Sequence, residues 1–128
     1  MSKSVYDTRF FIEHFYSYDI KVIEKTSQEI KSTRNRLVSV ITLHELYKIT
    51  LEKEGRDIAM LRVETMKEYF KTINVDDKIA IKGAELRHKY RIPMGDSLIA
   101  ATSQIFKAAC VSDDEHFKKI KEIKTRWI

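Results

Sequence analysis

Short apolar runs alternate along this chain with longer stretches of helical period. Ser4-Val5-Tyr6 is an apolar segment closed by Asp7, which predicts a first strand. From Tyr18 to Lys31, the apolar positions Ile20, Ile23 and Ile30 recur with charges between them, as on a surface helix. After the polar break Arg34-Asn35-Arg36, the run Leu37-Val38-Ser39-Val40-Ile41 is β-branched and nearly continuous, which predicts a buried strand. A helix follows from Thr42 to about Glu54 and stops at Gly55. Another runs from Asp57 to about Lys71, with Ile58, Leu61, Met66, Tyr69 and Phe70 near helical spacing. Ile73-Asn74-Val75 is a short strand. Asp76 to Tyr90 is a helix that ends before Ile92-Pro93. Asp96 to Lys107 is a helix rich in small residues, Ala109-Cys110-Val111 a strand, Asp114 to Glu122 a short helix, and Lys124 to Ile128 a last strand. Strands alternating with helices predict an α/β chain. Its architecture is a three-layer α/β/α sandwich around a central parallel sheet of four to five strands.

Length and composition narrow the classes. The 128 residues suit a single domain spanning 1–128, with no repeat and no linker. Apolar residues make up 43% and charged residues 34%, enough to bury a core. No apolar run approaches the roughly 20 residues of a membrane span. Charged Arg9 and Glu13 interrupt any signal-peptide core, so the expected location is the cytoplasm. The single cysteine, Cys110, suits the same reducing compartment and reads as a packed, inert thiol in its strand. Lys and Arg number 24 against 19 Asp and Glu, a net charge of +5, with a pI near 9.3. That balance points to RNA or another polyanion as partner, the plainer reading being a soluble domain rich in Lys and Glu.

Acidic residues recur where strands hand over to helices. Asp7 follows the first strand and Glu45 lies in the first turn after the second. Asp96 opens the helix after Pro93-Met94-Gly95, and Asp113 and Asp114 follow the strand ending at Val111. Open α/β sheets bind ligands outside the carboxyl ends of their strands. Acids delivered there together repel one another, and a hard divalent cation, Mg²⁺ or Mn²⁺, resolves the repulsion. Such ions orient water against a phosphodiester. Each acid also has a structural reading. Thr42 to Glu45 and Ser112 to Glu115 fit capping boxes, Asp96 suits an N-cap, and Asp7 suits an Asx-turn.

Four segments resemble the motifs of PIN domains, in order and over nearly the whole chain. They are Val5-Tyr6-Asp7-Thr8-Arg9-Phe10-Phe11-Ile12, Thr42-Leu43-His44-Glu45-Leu46, Gly95-Asp96-Ser97-Leu98-Ile99-Ala100-Ala101 and Val111-Ser112-Asp113-Asp114-Glu115-His116-Phe117. The resemblance implies a metal-dependent endoribonuclease with catalytic, metal-holding Asp7, Glu45, Asp96 and Asp114 around Mg²⁺ or Mn²⁺. In the fourth motif the aspartate three before Phe117 is Asp114, and Asp113 occupies a more variable position. Thr8 and Ser112 match hydroxyl positions that orient a carboxylate or a water. The family usually has a small polar residue where this chain has Arg9, which suits contact with a substrate phosphate or a neighbouring carboxylate, or exposure to solvent. The resemblance also implies a homodimer and the toxin half of a VapBC-type toxin–antitoxin pair, with a small antitoxin as partner.

Other chemistries fit poorly. His14, His44, His88 and His116 show no paired metal spacing, which argues against zinc, and His44 points about 100° away from Glu45 on a helix. Gly55, Gly83 and Gly95 lie too far apart for a phosphate loop. The early aromatics Phe10, Phe11, Phe15, Tyr16 and Tyr18 suit core or dimer packing, and the basic tail Lys118, Lys119, Lys121, Lys124 and Arg126 suits a solvated face or RNA steering. Two alternatives stay open. One is a non-catalytic RNA- or protein-binding module on the same fold; the other is a PIN nuclease of RNA processing with no toxin role.

Overall fold

Three strands carry adjacent pairs of apolar residues, and in each pair the two side chains enter opposite layers. In the computed structural model, which describes residues 2–128, the strands are β1 (Lys3–Tyr6), β2 (Asn35–Ser39), β3 (Lys71–Ile73), β4 (Ala109–Val111) and β5 (Thr125–Arg126). They form one parallel sheet in the order β3-β2-β1-β4-β5. Val5, Leu37 and Cys110 enter one core and Tyr6, Val38 and Val111 the other, because successive strand residues face opposite ways. The first core is closed by α5 (Asp77–Tyr90), α6 (Met94–Phe106) and α7 (Glu115–Lys118) through Ile79, Leu86, Ile99 and Phe117. The second is closed by α1 (Thr8–Tyr16), α3 (Val40–Glu54) and α4 (Arg56–Tyr69) through Phe10, Phe11, Leu46 and Met66, with α2 (Ile20–Ser32) adding Ile30. The α/β/α sandwich and parallel sheet are therefore as expected. Among the described residues, no helix is long and apolar enough to cross a membrane.

Several boundaries differ from expectation, among them the last strand, which is Thr125–Arg126 rather than residues 124–128. The pattern assigns no element to residues 8–16, yet α1 stands there, N-capped by Asp7. Its apolar face is an aromatic cluster: Phe10 and Phe11 are buried, and the Tyr6, Phe10, Phe11 and Phe70 rings meet at 4.8–5.3 Å. The second strand ends at Ser39, not Ile41, because the Ser39 hydroxyl accepts from the Ile41 amide and starts α3 at Val40. The third strand is Lys71–Ile73 rather than residues 73–75, and α7 has four residues where a helix to Glu122 is expected.

Arg126 belongs to a clamp that ties α2 to the sheet. Its guanidinium holds both Glu29 oxygens, at 2.9 and 2.7 Å, and donates to the Ser4 hydroxyl at 2.9 Å. The Tyr6 and Thr33 hydroxyls donate to the same carboxylate at 2.6 and 2.7 Å. Arg126 thus holds the Glu29 carboxyl down at about 2, while burial and then Glu29 push the Tyr6 phenol up to about 12. Because the folded carboxyl titrates below its ordinary 4.5, its stabilisation is present above that pH and is lost as the pH falls toward 2. Arg126→Ala is expected to cost about 1–3 kcal/mol, read from the urea midpoint. That is below a fully buried pair, because the Arg126 side chain is 38% exposed.

Candidate active site

The chain leaves β1 toward β2 and β3, then returns across the sheet to place β4 on the other side of β1. That reversal is a topological switch point, and the loops diverging at the carboxyl ends of β1 and β4 bound a crevice of the kind in which open α/β sheets bind ligands. Asp7 sits at its floor, directly after β1. Its amide donates to the Val111 carbonyl at 3.1 Å, which locks the two strand ends together. The Asp7 side chain is 3% exposed. Its Oδ2 accepts from the Ser112 hydroxyl at 2.7 Å and from the Arg9 amide at 3.4 Å. Burial, with repulsion from Asp96, pushes the Asp7 carboxyl up to about 6 against the pull of those hydrogen bonds.

Glu45 approaches from α3, beside Thr8 and Gly95, but neither it nor Asp7 belongs to the group of mutually close donor atoms formed by Asp96, Asp114 and His116. It lies in the second turn rather than the first, since α3 begins at Val40. The capping box expected at Thr42 is not formed: Thr42 is inside the helix with its hydroxyl buried and unpartnered. Glu45 instead accepts from the Thr8 hydroxyl at 2.5 Å. Its Oε2 lies 3.1 Å from where a Cβ on Gly95 would stand. Gly95 thereby lets the Glu45 carboxylate approach the backbone of α6 one residue before Asp96. Gly95→Ala is expected to displace that carboxylate by a few tenths of an ångström. Any metal-dependent activity should fall about tenfold or more, while stability stays level or rises by up to about 1 kcal/mol. Paired activity and thermal-melt measurements check the split.

Asp96 stands in the first turn of α6, whose N-cap is Pro93, so the expected N-cap role for Asp96 is not observed. Burial and then repulsion from Asp114 raise its carboxyl above the usual range, against a hydrogen bond from His116. Asp114, not Ser112, is the N-cap of α7, so the second expected capping box is also absent. Its Oδ1 accepts from the His116 amide at 2.9 Å, and its own amide donates to the Ser112 hydroxyl at 3.0 Å. Ser112 thus couples Asp7 to Asp114. His116 Nδ1 lies 2.7 Å from Asp96 Oδ2 and 3.3 Å from Asp114 Oδ1.

Asp113 turns the other way. It pairs with Arg9 at 3.0 Å, and Arg9 also holds Glu13 at 3.1 Å. The contact Arg9 makes is therefore with neighbouring carboxylates, and Asp113 is neutralised outside the crevice. Among the described residues, no lysine or arginine pairs with Asp7, Glu45, Asp96 or Asp114. Cys110 lies beneath the crevice, fully buried, its thiol pushed up by burial and by Asp7, in keeping with an inert thiol.

His116 is the residue that sequence reasoning passes over. It has no histidine partner at a metal-binding spacing, but it stands two residues after Asp114 at a helix start, where both side chains face one crevice. Asp96, Asp114 and His116 each offer a donor atom within 4.8 Å of the others.

The PIN domain model matches residues 5–123. The chain belongs to the PIN domain family. No curated protein matches it. Solved structures with the same PIN fold include DNA-bound VapBC from Salmonella typhimurium. That chain is 19% identical, with a TM-score of 0.81 over 99% of this chain and 98% of its own. VapBC2 of Rickettsia felis, bound to a fragment of promoter DNA, is 17% identical with a TM-score of 0.78 over 97% of each chain. VapC20 of Mycobacterium tuberculosis, a toxin that cleaves the sarcin-ricin loop, is 14% identical with a TM-score of 0.74, over 95% of this chain and 99% of its own. At these identities the likeness is one of fold, and the chemistry of this PIN domain rests on its own residues.

Proposed function

We propose that this PIN domain is a metal-dependent endoribonuclease that hydrolyses RNA phosphodiester bonds. The observation that carries the reading is the crevice itself. Asp96 and Asp114 come together there with His116, Asp7 feels the charge of Asp96, Glu45 stands against Gly95, and among the described residues no lysine or arginine pairs with any of these four acids. Four hard oxygen donors, one buried and raised to about 6, fit Mg²⁺ or Mn²⁺ and fit a thiophilic ion poorly. When bound, such an ion supplies the positive charge that orients water toward the scissile phosphate and stabilises the leaving oxygen. The chain's residues prepare the place for it. Thr8 fixes the Glu45 carboxylate, and Ser112 fixes Asp7 while accepting from the Asp114 amide. Arg9 and Asp113 pair with each other outside the crevice. The net charge of +5 draws RNA toward the chain, although Arg126 of the basic tail is committed to Glu29 and Lys118 to Glu115.

The fold shared with VapBC proteins supports the toxin half of a toxin–antitoxin pair, acting in the cytoplasm as a homodimer and restrained by a small antitoxin. A free-standing PIN nuclease of RNA processing is the neighbouring reading, and co-purification with a small neighbour-encoded protein distinguishes the two. The nuclease reading is tested on structured and single-stranded RNAs with the purified chain. Cleavage is expected with Mn²⁺ or Mg²⁺, to stop in EDTA, and to return with excess Mn²⁺. RNA binding without metal uptake in a calorimetric titration supports the non-catalytic module instead.

A further inference from the structure

We propose that His116 is a nitrogen ligand of the cation held by Asp96 and Asp114, and that this ligand biases the site toward Mn²⁺ over Mg²⁺. The inference rests on the carboxylate site proposed above and adds to it a donor of a different chemical kind.

Geometry places the imidazole. Asp114 caps α7 by accepting from the His116 amide, so the two residues are fixed relative to each other. The next residue, Phe117, is fully buried in the core and anchors the short helix to the sheet. His116 therefore has little freedom to leave. One nitrogen, Nδ1, faces both acids, at 2.7 Å from Asp96 Oδ2 and 3.3 Å from Asp114 Oδ1. Around an octahedral ion with bonds of about 2.1 Å, adjacent ligand atoms stand about 3 Å apart. The two separations bracket that edge length. A cation held by the two acids would find the same nitrogen placed as a donor.

Solvent access fits the same role. The imidazole is 43% exposed, against 16% for Asp96 and 30% for Asp114, so it stands at the mouth, where an ion enters.

Donor chemistry gives the selectivity. Mg²⁺ is small and hard, and keeps water and carboxylate oxygen in preference to imidazole. First-row transition ions accept imidazole nitrogen readily, with affinity for mixed nitrogen and oxygen sites increasing from Mn²⁺ upward. Carboxylates joined by one nitrogen thus favour Mn²⁺ more than carboxylates alone.

Pulsed electron paramagnetic resonance on the full chain, loaded with less than one equivalent of Mn²⁺, tests this. The expected spectrum carries the ¹⁴N modulation of a directly bound imidazole, and it changes to the ¹⁵N pattern when the histidines are ¹⁵N-labelled. In His116→Asn the nitrogen modulation is lost and Mn²⁺ affinity falls about tenfold. Mg²⁺ affinity, read by competition, changes by less than about threefold. Circular dichroism of this partly exposed substitution should match the wild type. Bound Mn²⁺ without nitrogen coupling, or coupling that persists in His116→Asn, overturns the assignment of His116 and leaves the carboxylate site standing. A wild type that takes up no Mn²⁺, or takes it up as well after Asp96→Asn, overturns the carboxylate site and this inference with it.

Discussion

Asp7→Asn is expected to abolish RNA cleavage and, in the same protein, to raise the stability of the metal-free fold. The two effects share one cause. Asp7 is almost fully buried at the crevice floor, and its carboxyl is pushed up to about 6, first by burial and then by Asp96. An acid whose folded value lies above its ordinary 3.8 binds its proton more tightly in the folded state. Its ionisation therefore destabilises the fold: stability falls as the pH rises from about 4 to about 6, and the loss is complete above that. A rise from 3.8 to about 6 corresponds to about 3 kcal/mol as an order of magnitude. Asparagine removes the charge, still caps α1, and still accepts from the Arg9 amide. In EDTA at pH 7 the variant should melt above the wild type, by roughly 10 °C for a chain of this size. Its melting temperature should also lack the decline between pH 4 and 6. Mn²⁺ should stabilise the wild type and not the variant. Cleavage should fall by at least about a hundredfold. A variant less stable than the wild type at every pH contradicts this picture of Asp7.

Much of this site was legible before any coordinates, for reasons that differ by residue. Asp7, Glu45, Asp96 and Asp114 stand at the places where a βα chain delivers side chains to one edge of its sheet, and order along the chain reports that. Asp114 was separable from Asp113 only through the resemblance to PIN domains, whose fourth motif places its aspartate three residues before the position of Phe117. The helix α1 was hidden because its buried face is made of adjacent Phe10 and Phe11, a pair with no helical period of its own. Helix α3 was misplaced by one β-branched run: Val40 and Ile41 have strand propensity, but the Ser39 hydroxyl caps the backbone before them. That shift also removes the capping box that competed for Glu45. His116 was passed over because its partners are carboxylates, and the spacing rules for histidine ligands look for other histidines. The closeness of Glu45 to Gly95 depends on how α3 and α6 sit together, which no local pattern encodes.

Asp96→Asn carries the second large effect and bears on the central claim, that carboxylates from four segments form one divalent-ion site for RNA hydrolysis. Asp96 couples to Asp7 and Asp114 by repulsion and to His116 by a hydrogen bond, so it is the group through which the cluster acts together. Asparagine keeps its size, and its side-chain oxygen still accepts from His116. The α6 terminus loses an acid worth about 0.3–1 kcal/mol, offset by the repulsion removed, so folding should survive. Wild type and Asp96→Asn, each with Mn²⁺, with Mg²⁺ and with EDTA, should be compared on one panel of structured and single-stranded RNAs. The account predicts metal-dependent cleavage by the wild type and a loss of at least about a hundredfold in the variant, with matching circular dichroism. Equal cleavage by the two proteins, or cleavage that persists in EDTA, would contradict it.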